Sequence, residues 1–308
     1  MFSKSPECAI LDGLNPHDPN TKEPMLLMRI KITSDSTCDL SPELLERYDI
    51  EVIPLYILKD DIAYKDGVEI TPLDIIGHVD GGGALCTTSA VGPGDYGEVF
   101  SRLCPSYDAV IHFNLGSKFS SCYQNARSVA ADYPNLYLVD SNNLSTGQGM
   151  QVVLAARLAQ QGADVAEILT TLETMRPRSE CSFLLNRLDY MRKGGRCSMV
   201  QALGANLLHI RPCIEVIDGA MQMVGKYRGS PEKCFAAYAK DRLDGRDLNR
   251  DFAFITYTYG TQESIVDAVR EVVAQYGGFD EVFETHAGST VTCHCGPNCL
   301  GVLFFRAS

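Results

Sequence analysis

Apolar and polar positions alternate through residues 29–35, RIKITSD, and the run breaks into Ser36-Thr37, which predicts a strand ending in a polar turn. Ser41, followed by Pro42 and Glu43-Leu44-Leu45, predicts a helix opened by a hydroxyl cap with proline at its first position. Residues 51–57 predict a second strand, 108–113 a third and 136–140 a fourth. Between and after them, residues 95–104, 120–132 and 146–161 carry helical spacing, and Gly162 ends the last of these. Strands alternating with helices imply a three-layer α/β/α unit, a parallel sheet with helices on both faces.

The character changes at residues 175–180, MRPRSE, a polar stretch that holds Pro177. Beyond it, residues 213–217 and 220–226 flank Asp218-Gly219, the strongest short hairpin signal in the chain. Residues 251–257, 281–285 and 302–306 predict further strands, and residues 231–243 and 262–276 predict helices. Hairpin and crossover pairing together imply a mixed sheet. The expected architecture is α/β in two domains, residues 29–177 around a parallel sheet and residues 178–308 around a mixed one, after an N-terminal extension at residues 1–28.

Composition narrows the function classes. The 308 residues carry a formal net charge of -12, which disfavours general attraction to nucleic acid or anionic lipid. No apolar run reaches the roughly 18–20 residues of a membrane span. The extension mixes turn formers and acids without a long apolar core, so it does not read as a signal peptide. The 12 cysteines are scattered, and reduced thiols in the cytoplasm are the expectation.

In a doubly wound sheet, ligands bind beyond the carboxyl ends of the strands. Those ends carry Ser34-Asp35-Ser36-Thr37, Leu115-Gly116-Ser117-Lys118-Phe119-Ser120-Ser121 and Asp140-Ser141-Asn142-Asn143, and Thr87-Thr88-Ser89 stands ahead of Gly92-Pro93-Gly94-Asp95. They are crowded with hydroxyls, a profile that suits hydrogen bonding to an oxyanion more than nucleophilic catalysis. Asp35 and Asp140 are expected to form turns, and Gly81-Gly82-Gly83 lacks the lysine of a phosphate loop. A strand through Cys293-His294-Cys295 would turn both thiols away from the imidazole. No second Cys-x-x-Cys pair completes a zinc spacing, so no metal is expected.

Seven segments occur in order: Asp35-Ser36-Thr37; Thr88-Ser89 with Pro93-Gly94-Asp95; residues 116–124; Asp140-Ser141; residues 188–196; Lys226-Tyr227-Arg228-Gly229; and His294-Cys295-Gly296-Pro297. Together they resemble the DegV family of bacterial fatty-acid-binding proteins. The resemblance spans residues 29–306, and Arg192-Lys193-Gly194-Gly195-Arg196 is its most distinctive piece. It implies a DegV-like fold that holds one long-chain fatty acid, with the tail buried and the carboxylate at the domain junction. It further implies presentation of that carboxylate to a separate ATP-dependent fatty acid kinase subunit, which makes an acyl phosphate. The carrier itself would perform no catalysis and need no cofactor. By motif, the carboxylate contacts fall to Thr88 and Ser120, with Ser89 and Ser117 in the same hydroxyl set. Arg196 and His294 would form the polar network behind them, Arg196 reaching across from just past the two-glycine hinge. The family pattern usually has Thr-Ser-Gln-Pro where this chain has Thr88-Ser89-Ala90-Val91, and a serine at Gly116.

The rival class is a Ser-dependent hydrolase or phosphotransferase acting on an amphiphilic acid. No nucleotide fingerprint, Gly-x-Ser-x-Gly elbow or metal-carboxylate cluster supports it. A carrier for another amphiphilic acid is a third reading.

Overall fold

The computed structural model describes residues 28–186, 188–193, 200–201 and 210–308. Residues 1–27 of the extension, and Gly194, Gly195 and Arg196 of the Arg192-Lys193-Gly194-Gly195-Arg196 segment, lie outside the described residues.

In chain order, the first half holds β1 (Ile30–Asp35), α1 (Pro42–Arg47), β2 (Ile50–Ile53), β3 (Tyr56–Lys59), β4 (Ile62–Lys65), α2 (Pro72–Asp80), β5 (Thr87–Ser89), α3 (Pro93–Leu103), β6 (Ala109–Asn114), α4 (Cys122–Ala130), β7 (Leu136–Asp140), α5 (Thr146–Gln160) and α6 (Val165–Met175). Strands β2-β1-β6-β7 form an all-parallel sheet in that order. Its central strands β1 and β6 are buried along nearly their whole length, as parallel strands covered on both faces must be.

Strands β4-β3-β5 form a small antiparallel sheet. Residues 51–57, expected as one strand, are therefore two: β2 stops at Ile53 and β3 starts at Tyr56 in a different sheet. Pro54 separates them, since it has no N–H for the ladder. The next N–H, that of Leu55, donates to Ser36 Oγ at 3.1 Å and ties this corner to the turn after β1.

The second half holds β8 (Ser179–Leu184), α7 (Asp189–Lys193), β9 (Val200–Gln201), β10 (Arg211–Ile217), β11 (Ala220–Tyr227), α8 (Pro231–Leu243), β12 (Leu248–Tyr257), α9 (Glu263–Tyr276), β13 (Glu281–His286), α10 (Ser289–Cys295) and β14 (Leu300–Arg306). Its strands make one mixed sheet, β13-β12-β14-β8-β10-β11-β9. Asp218 and Gly219 turn β10 into β11 at φ values of 50° and 72°, the left-handed pair that a two-residue hairpin needs. Residues 293–295, expected as part of a strand, instead end α10, which stops where Gly296 adopts φ 65°.

The two larger sheets share α5, which is buried on almost every side and so has no polar stripe. It packs against β1 and β6 of the parallel sheet and β8, β12 and β14 of the mixed one. One core passes through it, from Ile32 and Phe113 by way of Met150 and Val153 to Ile214, Phe254 and Phe305. Gly149 permits the close approach: a Cβ there would overlap the carbonyl oxygen of Cys38. Among the described residues, no helix is long and apolar enough to cross a membrane.

Candidate functional site

Strand β1 delivers Asp35 into the interior with no exposed surface. Its carboxylate accepts from Tyr96 OH at 2.6 Å, Leu115 N–H at 2.8 Å and Asn114 Nδ2 at 3.3 Å. His112 Nε2 lies 3.3 Å away, and the other ring nitrogen sits 2.8 Å from Thr33 Oγ1. A buried carboxylate needs such partners. Burial, reinforced by the Asp35 charge, pushes the Tyr96 phenol far up, so it remains a donor. Expected to form a turn, Asp35 is instead the centre of a buried network. Asp140 does form a turn: its Oδ1 accepts from Ser117 N–H at 3.0 Å and Asn142 N–H at 3.1 Å.

Through Leu115, Asp35 fixes the start of the loop that joins β6 to α4. Gly116 N–H then donates to Asn143 O at 2.9 Å, and Phe119 N–H to Gly116 O at 2.8 Å. A Cβ on Gly116 would come within 2.9 Å of Asn143 N, so this approach requires glycine. The loop leaves Ser120 at the mouth of α4, where its Oγ accepts from Cys122 N–H at 3.3 Å and lies 3.1 Å from Cys122 Sγ. Facing it, β5 pairs Thr88 with Ile57 of β3. Thr88 Oγ1 lies 3.0 Å from Nε2 of His294, in the last turn of α10.

Two carboxyl groups hold the other end of α10. Gly288 N–H donates to Asp39 Oδ1 at 2.9 Å, while Asp66 accepts from Ser289 N–H at 3.1 Å and Thr290 Oγ1 at 2.8 Å. Burial pushes Asp39 up to about 8, against its hydrogen bonds from Ser145 and Gly288 and with a contribution from Asp66. Between the ordinary carboxylate value and about 8, the folded chain thus holds a proton that the unfolded chain has lost. Stability from this group falls as pH rises through that window, by up to about 1.4 kcal/mol per pH unit. Asp39→Asn, which tolerates the left-handed φ of 50° at this position, is expected to flatten the decline in thermal midpoint between pH 5 and 8. Equal slopes for variant and parent in differential scanning fluorimetry would count against this assignment.

Thr88, Ser89, Ser120 and His294, with Thr37 and Thr290, make the polar part of a cavity of about 90 Å³. The rest of its wall is apolar, drawn from both halves of the chain: Leu55, Leu115, Phe119 and Leu144 from the first, Phe183, Met191, Met221, Val291 and Cys295 from the second. A second, almost wholly apolar cavity of about 30 Å³ shares Leu144, Phe183, Val291 and Cys295 with it. Those four side chains therefore stand in the walls of both cavities. Among the described residues, no Asp, Glu, Lys or Arg lines either cavity, and no group of three or more His, Cys, Asp or Glu is placed to hold a metal.

Of the six residues singled out in the sequence, four line the cavity, Ser117 does not, and Arg196 lies outside the described residues. Thr37 and Thr290 were not singled out. Thr37 stands in the Ser36-Thr37 turn already visible as a strand end. Thr290 precedes His294 by four residues, a relation that matters only once the segment is helical.

Parts of both halves of the chain thus meet around an apolar cavity whose wall carries hydroxyls, the form of a pocket for a small apolar ligand. The chain belongs to the DegV family: the family profile described as "uncharacterised protein, DegV family" matches residues 29–307. A DegV domain-containing protein of Deinococcus radiodurans is 30% identical over 278 residues, 89% of this chain and 98% of that protein. Among solved structures, a DegV family protein from Thermus thermophilus, described for its fatty acid binding, superposes with a TM-score of 0.80 at 28% identity, covering 91% of this chain and 100% of that one. A stearic acid-binding protein from Eubacterium ventriosum superposes with a TM-score of 0.78 at 27% identity, covering 90% of this chain and 98% of that one.

Proposed function

We propose that this protein binds one long-chain fatty acid, with its carboxylate at Thr88 and Ser120 and its tail in the apolar space of the two cavities. The observation that carries this reading is an otherwise apolar cavity whose wall includes the hydroxyls of Thr88, Ser89 and Ser120 with His294 and, among the described residues, no Asp, Glu, Lys or Arg. Affinity comes chiefly from the tail, at about 0.8 kcal/mol for each buried methylene. The hydroxyls orient the head group, because hydrogen bonds to an ionised acceptor are the strong ones. Residues 29–177 supply these hydroxyls and residues 178–308 cover the acyl chain. The cavity volumes of about 90 and 30 Å³ fall below the roughly 300 Å³ at which pockets for larger ligands begin. Tail entry therefore requires the four shared side chains to change rotamer.

Thr88 is half-buried between exposed Thr87 and Ser89, so this part of the wall lies next to the surface. That placement supports presentation of the carboxylate to an ATP-dependent kinase subunit in the cytoplasm, with the carrier itself non-catalytic. Arg196 and Ser117 are retained as further candidates near the head group. A second reading, as a hydrolase of acyl esters, draws on the hydroxyl–imidazole contact of Thr88 and His294.

Lipid extraction and native mass spectrometry of the purified protein separate these readings. Stoichiometric fatty acid supports the carrier, whereas a ligand-free protein that hydrolyses acyl esters overturns it. Ser120→Ala and Thr88→Val are each expected to remove about 1.5–3 kcal/mol of hydrogen bonding to the carboxylate, a loss of affinity of about tenfold to a hundredfold by titration calorimetry. Unchanged affinity in both variants would place the head group elsewhere.

A further inference from the structure

All ten described cysteines are free and buried. Two of them, Cys86 and Cys293, share a buried cluster next in sequence to cavity-lining residues. Cys86 lies two residues before Thr88 on the way into β5, and Cys293 immediately precedes His294 on α10. They belong to one small apolar cluster with Ile57, Ile70 and Ile75. The neighbouring Thr88–His294 contact, at 3.0 Å, shows how closely the two elements approach. The neighbouring Cys293 thiol pulls Cys86 down to about 7, against burial and with help from Lys59, while Cys293 is pushed up by Cys86 and by burial. Near neutral pH Cys86 is thus about half thiolate while Cys293 holds its proton, the arrangement of an attacking and a resolving thiol. The other adjacent pair, Cys295 and Cys299, lies within one short stretch of chain, and Cys299 is pushed up by its partner and by burial.

We propose that Cys86 and Cys293 form a redox-active pair whose reversible disulfide fastens the β5 segment to α10 and locks the Thr88–His294 end of the cavity. The oxidant is a low-molecular-weight disulfide. The Cys86 thiolate attacks one of its sulfurs and expels the first small thiolate. Cys293 then attacks the Cys86 sulfur of the mixed disulfide and expels the second, its proton passing to a leaving thiolate. Two protein thiols become one disulfide, and one small disulfide becomes two small thiols. Access to the buried Cys86 comes through the segment before it, Gly81-Gly82-Gly83-Ala84-Leu85, in which four of the five residues carry small or no side chains and Gly81, Gly82 and Ala84 are exposed. With β5 tied to α10, the jaw that holds the head group cannot part.

The disulfide stands whatever the cavity holds; its effect on exchange rests on the fatty-acid reading. The test treats the full chain with oxidised glutathione, alkylates the remaining thiols after denaturation and maps unreduced peptides by mass spectrometry. The expected result is a Cys86–Cys293 cross-link that dithiothreitol reverses and that Cys86→Ser and Cys293→Ser each abolish while remaining folded by circular dichroism. A persistent glutathione adduct, a cross-link between other cysteines or no loss of thiols overturns the proposal. Radiolabelled stearate, loaded before oxidation, is expected to leave the cross-linked protein at least tenfold more slowly than the reduced one. Equal release rates overturn the lock. If the reduced protein retains no stearate, the fatty-acid reading fails while the peptide map still decides the disulfide.

Discussion

Asp35→Ala is expected to lower the thermal midpoint by about 10 °C and to weaken fatty-acid retention, although Asp35 does not line the cavity. The substitution removes the acceptor for Tyr96 OH and Leu115 N–H, both inside the protein. A buried donor left unsatisfied costs about 1–3 kcal/mol, so two cost about 4 kcal/mol together. Each kcal/mol moves the midpoint of a domain of roughly 200 residues by about 2–4 °C. The binding effect follows from Leu115, whose amide anchors the loop that ends at Ser120. Asp35→Asn keeps one carbonyl acceptor and should lose less on both measurements. Calorimetric unfolding together with stearate titration checks this. A variant with parental stability, or one destabilised with unaltered affinity, would break the proposed link from Asp35 to Ser120.

Much of the fold was legible because its signals are local. The hydroxyl cap at Ser41, with Pro42 behind it, appears as read: Ser41 Oγ accepts from Leu44 N–H at 3.4 Å. Asp218-Gly219 forms the hairpin turn. The parallel and mixed sheets follow from strands whose periodicity needed no distant partner to be recognised. What failed were two decisions set by tertiary contact. Apolar content continues through residues 51–57, so only Pro54 hinted that β2 and β3 join different sheets. At residues 289–295 the pattern is short and dominated by Thr and Cys, and the helix depends on Asp39 and Asp66, over 220 residues earlier in the chain, to satisfy its first amides.

The site divides in the same way. Thr88, Ser89, Ser120 and His294 were accessible because hydroxyls collect beyond strand ends, and the ordered resemblance added the histidine. Thr37 and Thr290 have ordinary turn and helix roles as well, so nothing in their local sequence separates a cavity wall from a cap. Cys86 and Cys293 are further beyond reach. They are 207 positions apart, and only the packing of α10 against β5 makes a pair of two cysteines that read singly as small core residues.

Arg242→Met is expected to destabilise the second half of the chain by about 3–5 kcal/mol at pH 8, the scale set by breaking a buried ion pair from one side. Arg242, on α8, bonds Glu180 of β8 and lies 2.9 Å from Glu215 Oε2 of β10, so it neutralises two carboxylates across adjacent strands. Burial lowers the guanidinium's hold on its proton, but Glu215 and Glu180 more than offset it and raise the group overall. Glu215 is already raised by burial, and Arg242 is the main influence opposing that rise. Without the arginine, Glu215 takes up its proton at still higher pH in the folded state than in the unfolded one. Stability of the variant then falls as pH increases through that window, and the loss relative to the parent should be smaller at pH 5 than at pH 8. Glu180 keeps Arg306 Nε at 3.7 Å, so Glu215 carries most of the pH dependence. Adding Glu215→Leu to Arg242→Met should therefore recover most of the stability and remove the pH-dependent part, because an apolar replacement leaves no unpaired charge. Denaturant unfolding of both variants at the two pH values decides it: a penalty independent of pH, or no rescue by Glu215→Leu, would assign the loss to packing of the arginine stem instead of its charge.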